Sequence, residues 1–340
     1  MTAPVSGPEP EPSPDPSVSS SDVARPGASY FAIEGRQAPG LFVVGWLASL
    51  LGAAAIAIAV IANRGVASTL VLIGGVVLLS IGLVAAAGSQ GIERRARNAE
   101  GYAGPSPLLV FAASIPVSVL VGVALALPLD ALGVPLDGPI VALLSVAVQA
   151  VIYVGLIRLL VVDTGVLSWA AMGIRRFDVA AIRELAGGAL WAIPVIVVTV
   201  PVSAILLSVF PVQPESPLPP TGTAGGFALS LLAGVLVAPI GEEVLFRGFA
   251  TTAWVRGLGA RSGLLRAALL FALAHILTVS GRDAGDAFGL AVVGFATRLP
   301  IALALGWLFV RRGTIWSSFG LHATFNCILL VLAEVYSRGI

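Results

Sequence analysis

Nine runs of mostly apolar residues follow one another along the chain, at about 41–62, 66–88, 107–129, 139–161, 189–210, 227–247, 264–281, 288–310 and 314–336. Each is close to the roughly 20 residues that a helix needs to cross a hydrocarbon core. Short polar or Gly/Pro-rich turns separate them. The pattern predicts an all-α, polytopic transmembrane helix bundle of about nine spans. One stretch breaks the rhythm: within 163–188, Arg175, Arg176 and Arg183 alternate with Trp169, Met172, Ile174 and Phe177. That alternation predicts an interfacial amphipathic segment lying on the membrane surface.

Composition agrees with the pattern. Charged residues are 11% of the 340, hydrophobic residues are 57%, and mean hydropathy is +0.99, outside the balance of a soluble domain. The first forty residues differ in kind. Pro4, Pro8, Pro10, Pro12, Pro14 and Pro16 alternate with Ser and acidic residues, which predicts a disordered Pro/Ser-rich tail over 1–40. With no basic stretch before an apolar core, it does not read as a cleaved signal peptide. A net charge of +1, with no basic stripe and no interleaved aromatic platform, argues against a nucleic-acid partner. Cys327 is the single cysteine, so neither a disulfide framework nor a cysteine metal cluster is available.

All nineteen basic residues are arginines, and their placement predicts orientation. With the tail inside, fifteen fall on the N-terminus and the even-numbered connections; only Arg64, Arg282 and Arg338 face the other way, and Arg298 lies within the eighth run. Cytoplasmic flanks carry the excess of positive charge, so the N-terminus is expected in the cytoplasm.

Depth and direction then bring the polar residues of the last four runs together. Glu242 and Glu243 stand side by side near the inner end of the sixth, with Arg247 four residues on. Charges at bilayer depth cost roughly 2.5 to 3.5 kcal/mol each on insertion scales, so the default reading is a functional site. His275 lies nine residues beyond Arg266, roughly 13 Å in, and His322 ten beyond Arg312, roughly 15 Å in, at about 1.5 Å per residue. They are the only two histidines. Glu243 with Arg247, Phe271 with His275 and His322 with Asn326 are each spaced i, i+4, on common helical faces. Glu242 is left without a cation nearby in sequence, to be balanced by a neighbouring helix, a metal or a shared proton, which makes it the best candidate for a tuned base. Arg298, beside Pro300, is read as a structural residue, Gln149 as interhelical glue and Asp130 as a loop residue.

Glu242-Glu243-x-x-x-Arg247, Phe271-x-x-x-His275 and His322-x-x-x-Asn326, in that order, resemble the motifs of the CAAX-protease and bacteriocin-processing (CPBP) family of intramembrane endopeptidases. The resemblance covers about 225–330 and leaves the first five spans unmatched. It implies N-terminal transmembrane helices over 41–222 and a protease core over 223–337. It also implies that Glu242 with His275 activates a water, that Glu243 pairs with Arg247, and that His322 and Asn326 stabilise the oxyanion. The expected substrate is a membrane-associated peptide or protein. The setting is a multi-pass integral plasma membrane protein in a bacterium, surrounded by lipid, with its site toward the cytoplasm.

Metal use stays open at this stage. Glu242, His275 and His322 could supply three ligands to one zinc ion with a fourth position free, yet His-Glu-x-x-His is absent, and ligation would take His322 from oxyanion duty. Two other function classes stand beside the protease. An ion-coupled transporter predicts an internal repeat, which the sequence lacks. A non-proteolytic immunity or scaffold protein predicts the loss of a motif residue, and all are present.

Overall fold

The computed structural model describes residues 33–338 except positions 34, 63–64, 98, 215–217 and 219. The expected tail lies almost wholly outside the described residues, as does Arg64. The chain divides after Arg36, and the helices all belong to the second unit, Gln37–Ile340. Among the described residues every regular element is helical. The first four are α1 (Pro39–Ala62), α2 (Gly65–Ala96), α3 (Pro107–Ala131) and α4 (Pro139–Ile157), the last continued by a π-helical turn, Arg158–Val162. Then come α5 (Val179–Ala189) and α6 (Ala192–Val209). A continuous rod, Ala224–Leu258, contains α7 (Ala224–Leu231), α8 (Ala238–Glu242) and α9 (Thr252–Leu258). It is followed by α10 (Ala260–Ala274), α11 (Ala284–Arg312) and α12 (Ile315–Ser337).

Among the described residues, eight segments are long and apolar enough to cross a membrane, with α5 and α6 counted together and the rod counted once. The molecule is thus a multi-pass helical membrane protein. Eight of the nine apolar runs coincide with these segments. The seventh, expected over 264–281, is the shorter α10, 15 residues, or about 22 Å at the helical rise. It stops because the His275 ring intervenes. Nδ1 donates to the carbonyl of Phe271 at 2.8 Å, the acceptor that the His275 amide would use to continue an α-helix. Asp130, expected in a loop, sits instead in the last turn of α3.

The rod is irregular where the acidic pair sits. Pro239 has no N–H, and two π-helical stretches, Leu232–Val237 and Glu243–Thr251, flank the short α8. Such widened turns are rare and concentrate at functional sites. They place Glu243, Arg247 and Thr251 inside the bundle, each buried.

The segment between α4 and α5 is more intimate with the core than a surface segment. Arg175, Arg176 and Phe177 are exposed, but Leu167 and Met172 are buried. The Ile315 amide donates to Gly173 O at 3.1 Å, and Trp316 Nε1 donates to Arg175 O at 3.1 Å. α5 then packs along α12 so closely that a Cβ on Gly320 would meet the Leu185 carbonyl and one on Gly188 the Ser317 carbonyl. Gly320→Val is therefore expected to lower the thermal stability of the protein in detergent by about 1–3 kcal/mol, the usual cost of overpacking. An unchanged unfolding temperature would show that α5 does not hold α12 in place.

Candidate active site

The two glutamates part company at once. Glu243 is fully buried, with Arg247 Nη1 3.2 Å from its Oε1 and a side-chain exposure of only 2% on the arginine. The guanidinium also lies 4.2 Å from the centroid of the Phe271 ring, a cation–π contact that helps hold a charge away from water. The same Glu243 Oε1 accepts the Nδ1–H of His322 at 2.9 Å. The expected Glu243–Arg247 pair is thus present, but it is one side of a three-residue cluster spanning the rod and α12.

Glu242 faces the other way. Its Oε2 stands 3.6 Å from Nε2 of His322 and 3.9 Å from Nε2 of His275, and has no hydrogen-bond partner. The tautomers follow from the partners. A backbone carbonyl and a carboxylate only accept, so both rings carry a proton on Nδ1 and a neutral ring offers a lone pair at Nε2. Three acceptors from three helical elements therefore converge on one small region. They stay together only if a donor is shared between them.

Phe271 is the wall of this region. Its ring lies against His275 at 4.4 Å and His322 at 5.7 Å between centroids, and it packs edge-on against Phe246 at 5.2 Å. The aromatic motif position thus orients both imidazoles as well as supplying the carbonyl that holds one of them.

Asn326 is placed by a backbone defect. In the first π stretch the Ala238 amide turns back to Ala233 O, so the Gly234 carbonyl loses its α-helical donor. Its π-helical donor would be residue 239, a proline without an N–H. Asn326 Nδ2 fills the gap, donating to Gly234 O at 2.9 Å. One of the two amide hydrogens is thereby used to join α12 to the rod, and the second is left for other work. Ser318, one turn before His322, is fully buried. Its hydroxyl donates to Ile315 O at 3.1 Å, a supporting position.

Two residues outside the motifs couple electrostatically to Glu242. Tyr153 on α4 is buried and interacts electrostatically with it. The approach is possible because residue 241 is glycine: a Cβ there would sit 2.6 Å from Ala150 Cβ, on the turn of α4 preceding Tyr153. Arg298 on α11, read from the sequence as structural, interacts electrostatically with both Glu242 and His275. An isolated Tyr and an isolated Arg at these positions give no sequence signal, apart from the bare presence of a charge in an apolar run.

The expected metal donors are of the right kind, since each histidine keeps Nε2 free and has Nδ1 anchored. Among the described residues, however, no three His, Cys, Asp or Glu side chains form a group that could hold a metal ion.

No curated protein and no solved structure matches the chain. Residues 224–328, which carry all three motifs, match the sequence model of the family described as type II CAAX prenyl endopeptidase Rce1-like, and the match supports the CAAX-protease and bacteriocin-processing family for this segment.

Proposed function

We propose that the protein is an intramembrane endopeptidase that hydrolyses a peptide bond in a membrane-associated substrate, using a water activated at Glu242. The observation that carries this reading is the convergence of Glu242 Oε2 with Nε2 of His322 and of His275 at 3.6 Å and 3.9 Å. A water in that region has acceptors for both its protons, and bridging waters of this kind are nearly as favourable as direct hydrogen bonds.

Glu242 takes one proton as the water oxygen bonds to the substrate carbonyl carbon, a general-base step. The carbonyl electron pair moves to its oxygen. His322, anchored through Nδ1 to Glu243, receives that proton from Glu242 at Nε2 and, as the imidazolium so formed, donates to that oxyanion. The second amide hydrogen of Asn326 is available to do the same. Donors held in place in a dry site are worth more than they would be in water. When the carbon–nitrogen bond breaks, the same proton passes from His322 back to Glu242 and on to the leaving amine, by way of His275. Arg247 stays on Glu243 throughout and keeps His322 in register. The arginines at the start of α10 and the end of α11 support a site that opens toward the cytoplasm.

Peptide termini in membranes from cells with and without the protein provide the test. New termini, adjacent to a membrane anchor and present only with the protein, are expected. A membrane proteome with identical termini in both would overturn the endopeptidase reading and favour a binding or scaffolding role.

A further inference from the structure

We propose that Arg298 is the counter-cation of Glu242, a positioning residue that balances this carboxylate from α11 and orients it toward the two histidines. Charge inventory motivates the search for such a partner. Glu243 already has Arg247 at 3.2 Å, whereas Glu242 meets only imidazole nitrogens directly. An arginine at membrane depth is itself costly and calls for an anion. Among the described residues Arg298 forms no direct ion pair. Matching the two leftover charges gives two glutamates and two arginines, four formal charges that cancel.

Helix geometry carries Arg298 to the turn of His275. Arg298 shares a face of α11 with Gly294, Ile301 and Leu305, all buried, so it points into the bundle. Its Nη1 donates to Gly294 O at 3.0 Å, which fixes the guanidinium and leaves its other N–H groups uncommitted. The Cβ position of Gly294, occupied by no atom, is 3.6 Å from that Nη1 and 3.2 Å from Cγ2 of Ile276. The guanidinium therefore lies over the turn that carries His275. A Cβ on Gly294 would crowd the Ile276 side chain, so glycine lets α11 lie close to this turn. The His275 ring of that turn stands 3.9 Å from the Glu242 carboxylate, and the electrostatic coupling of Arg298 to both groups runs in the same sense. Charges in a desolvated interior are little screened, so direct contact is not required.

The catalytic consequence rests on the hydrolase reading above, while the charge balance does not, and the experiment separates them. Thermal unfolding in detergent is measured for wild type, Glu242→Gln, Arg298→Gln and the double variant, as a double-mutant cycle. The expected result is non-additive. Arg298→Gln unfolds at a lower temperature than wild type, and adding Glu242→Gln restores part of the loss. Additive shifts would overturn the proposal. Turnover is then measured on a synthetic peptide spanning the cut mapped with wild type. Arg298→Gln should lower kcat by about 10²-fold with KM within about threefold, an effect the size of losing one preorganised electrostatic partner. Arg298→Lys should recover at least about tenfold of it, because it keeps the charge. A rise in KM alone would mark Arg298 as a substrate contact and overturn the proposal, as would unchanged kinetics. If wild type cuts nothing, the endopeptidase reading fails and the unfolding cycle still decides.

Discussion

Glu242→Gln is expected to abolish peptide cleavage, lowering kcat at least about 10³-fold, while the protein stays folded and inserted. The size follows from the role. General-base catalysis contributes typically 10²- to 10⁴-fold, and here the base has no neighbour able to replace it. His275 Nε2 faces the same region but is 3.9 Å from the carboxylate, and its ring is tethered through Nδ1 to Phe271 O. Glutamine preserves volume and one carbonyl acceptor, so packing around Phe271 and His322 is retained and only proton acceptance is lost. His275→Ala should fall less, since the first proton goes to Glu242. Turnover of the substrate peptide by the purified variants decides the matter. Full activity in both would remove Glu242 and His275 from the chemistry.

Arg247→Met is expected to be the most destabilising single change in the motif set, costing about 3–5 kcal/mol, the range for removing one partner of a buried ion pair. The side chain is 2% exposed and its carboxylate partner is wholly buried. Methionine would fill much of the space against Phe271 but leave the Glu243 charge with only the His322 ring. Glu243→Gln should be milder in structure, because its carbonyl can still accept from His322 Nδ1, yet it strands the guanidinium. Unfolding temperatures in a common detergent compare the two. An Arg247→Met variant as stable as wild type would show that the pair is not held away from water. Loss of activity in Arg247→Met without loss of stability would place the arginine in direct contact with substrate.

Hydropathy alone located nearly every helix, because a crossing has a length that apolar runs must match. It placed α1 from 41 where the helix begins at Pro39, and α12 from 314 where it begins at Ile315. It overran at the seventh crossing because 276–281 is apolar enough to look helical, while the event that ends α10 is a ring capping a carbonyl at Phe271. The i, i+4 spacings predicted Glu243 with Arg247, and that pair is present. They could not predict Glu243 with His322, which are 79 residues apart and meet only through packing. Nor could they show that Asn326, alike in spacing to a helical partner of His322, spends an amide hydrogen on Gly234. That use depends on Pro239 and a π turn, details of backbone bonding that side-chain patterns do not carry. Tyr153 and Arg298 were hidden for a plainer reason: each is a lone polar residue on another helix, and only depth and facing relate it to Glu242.

The Gly234 carbonyl also bears on the order in which the protein is made. Asn326 follows it by 92 residues, and an unsatisfied carbonyl is unfavourable in lipid. The sixth crossing therefore enters the bilayer with an open valence that only the final crossing closes. Until α12 docks, the rod is unfinished about two turns before Glu242, so the nascent chain cannot acquire a working site before synthesis has reached its last helix.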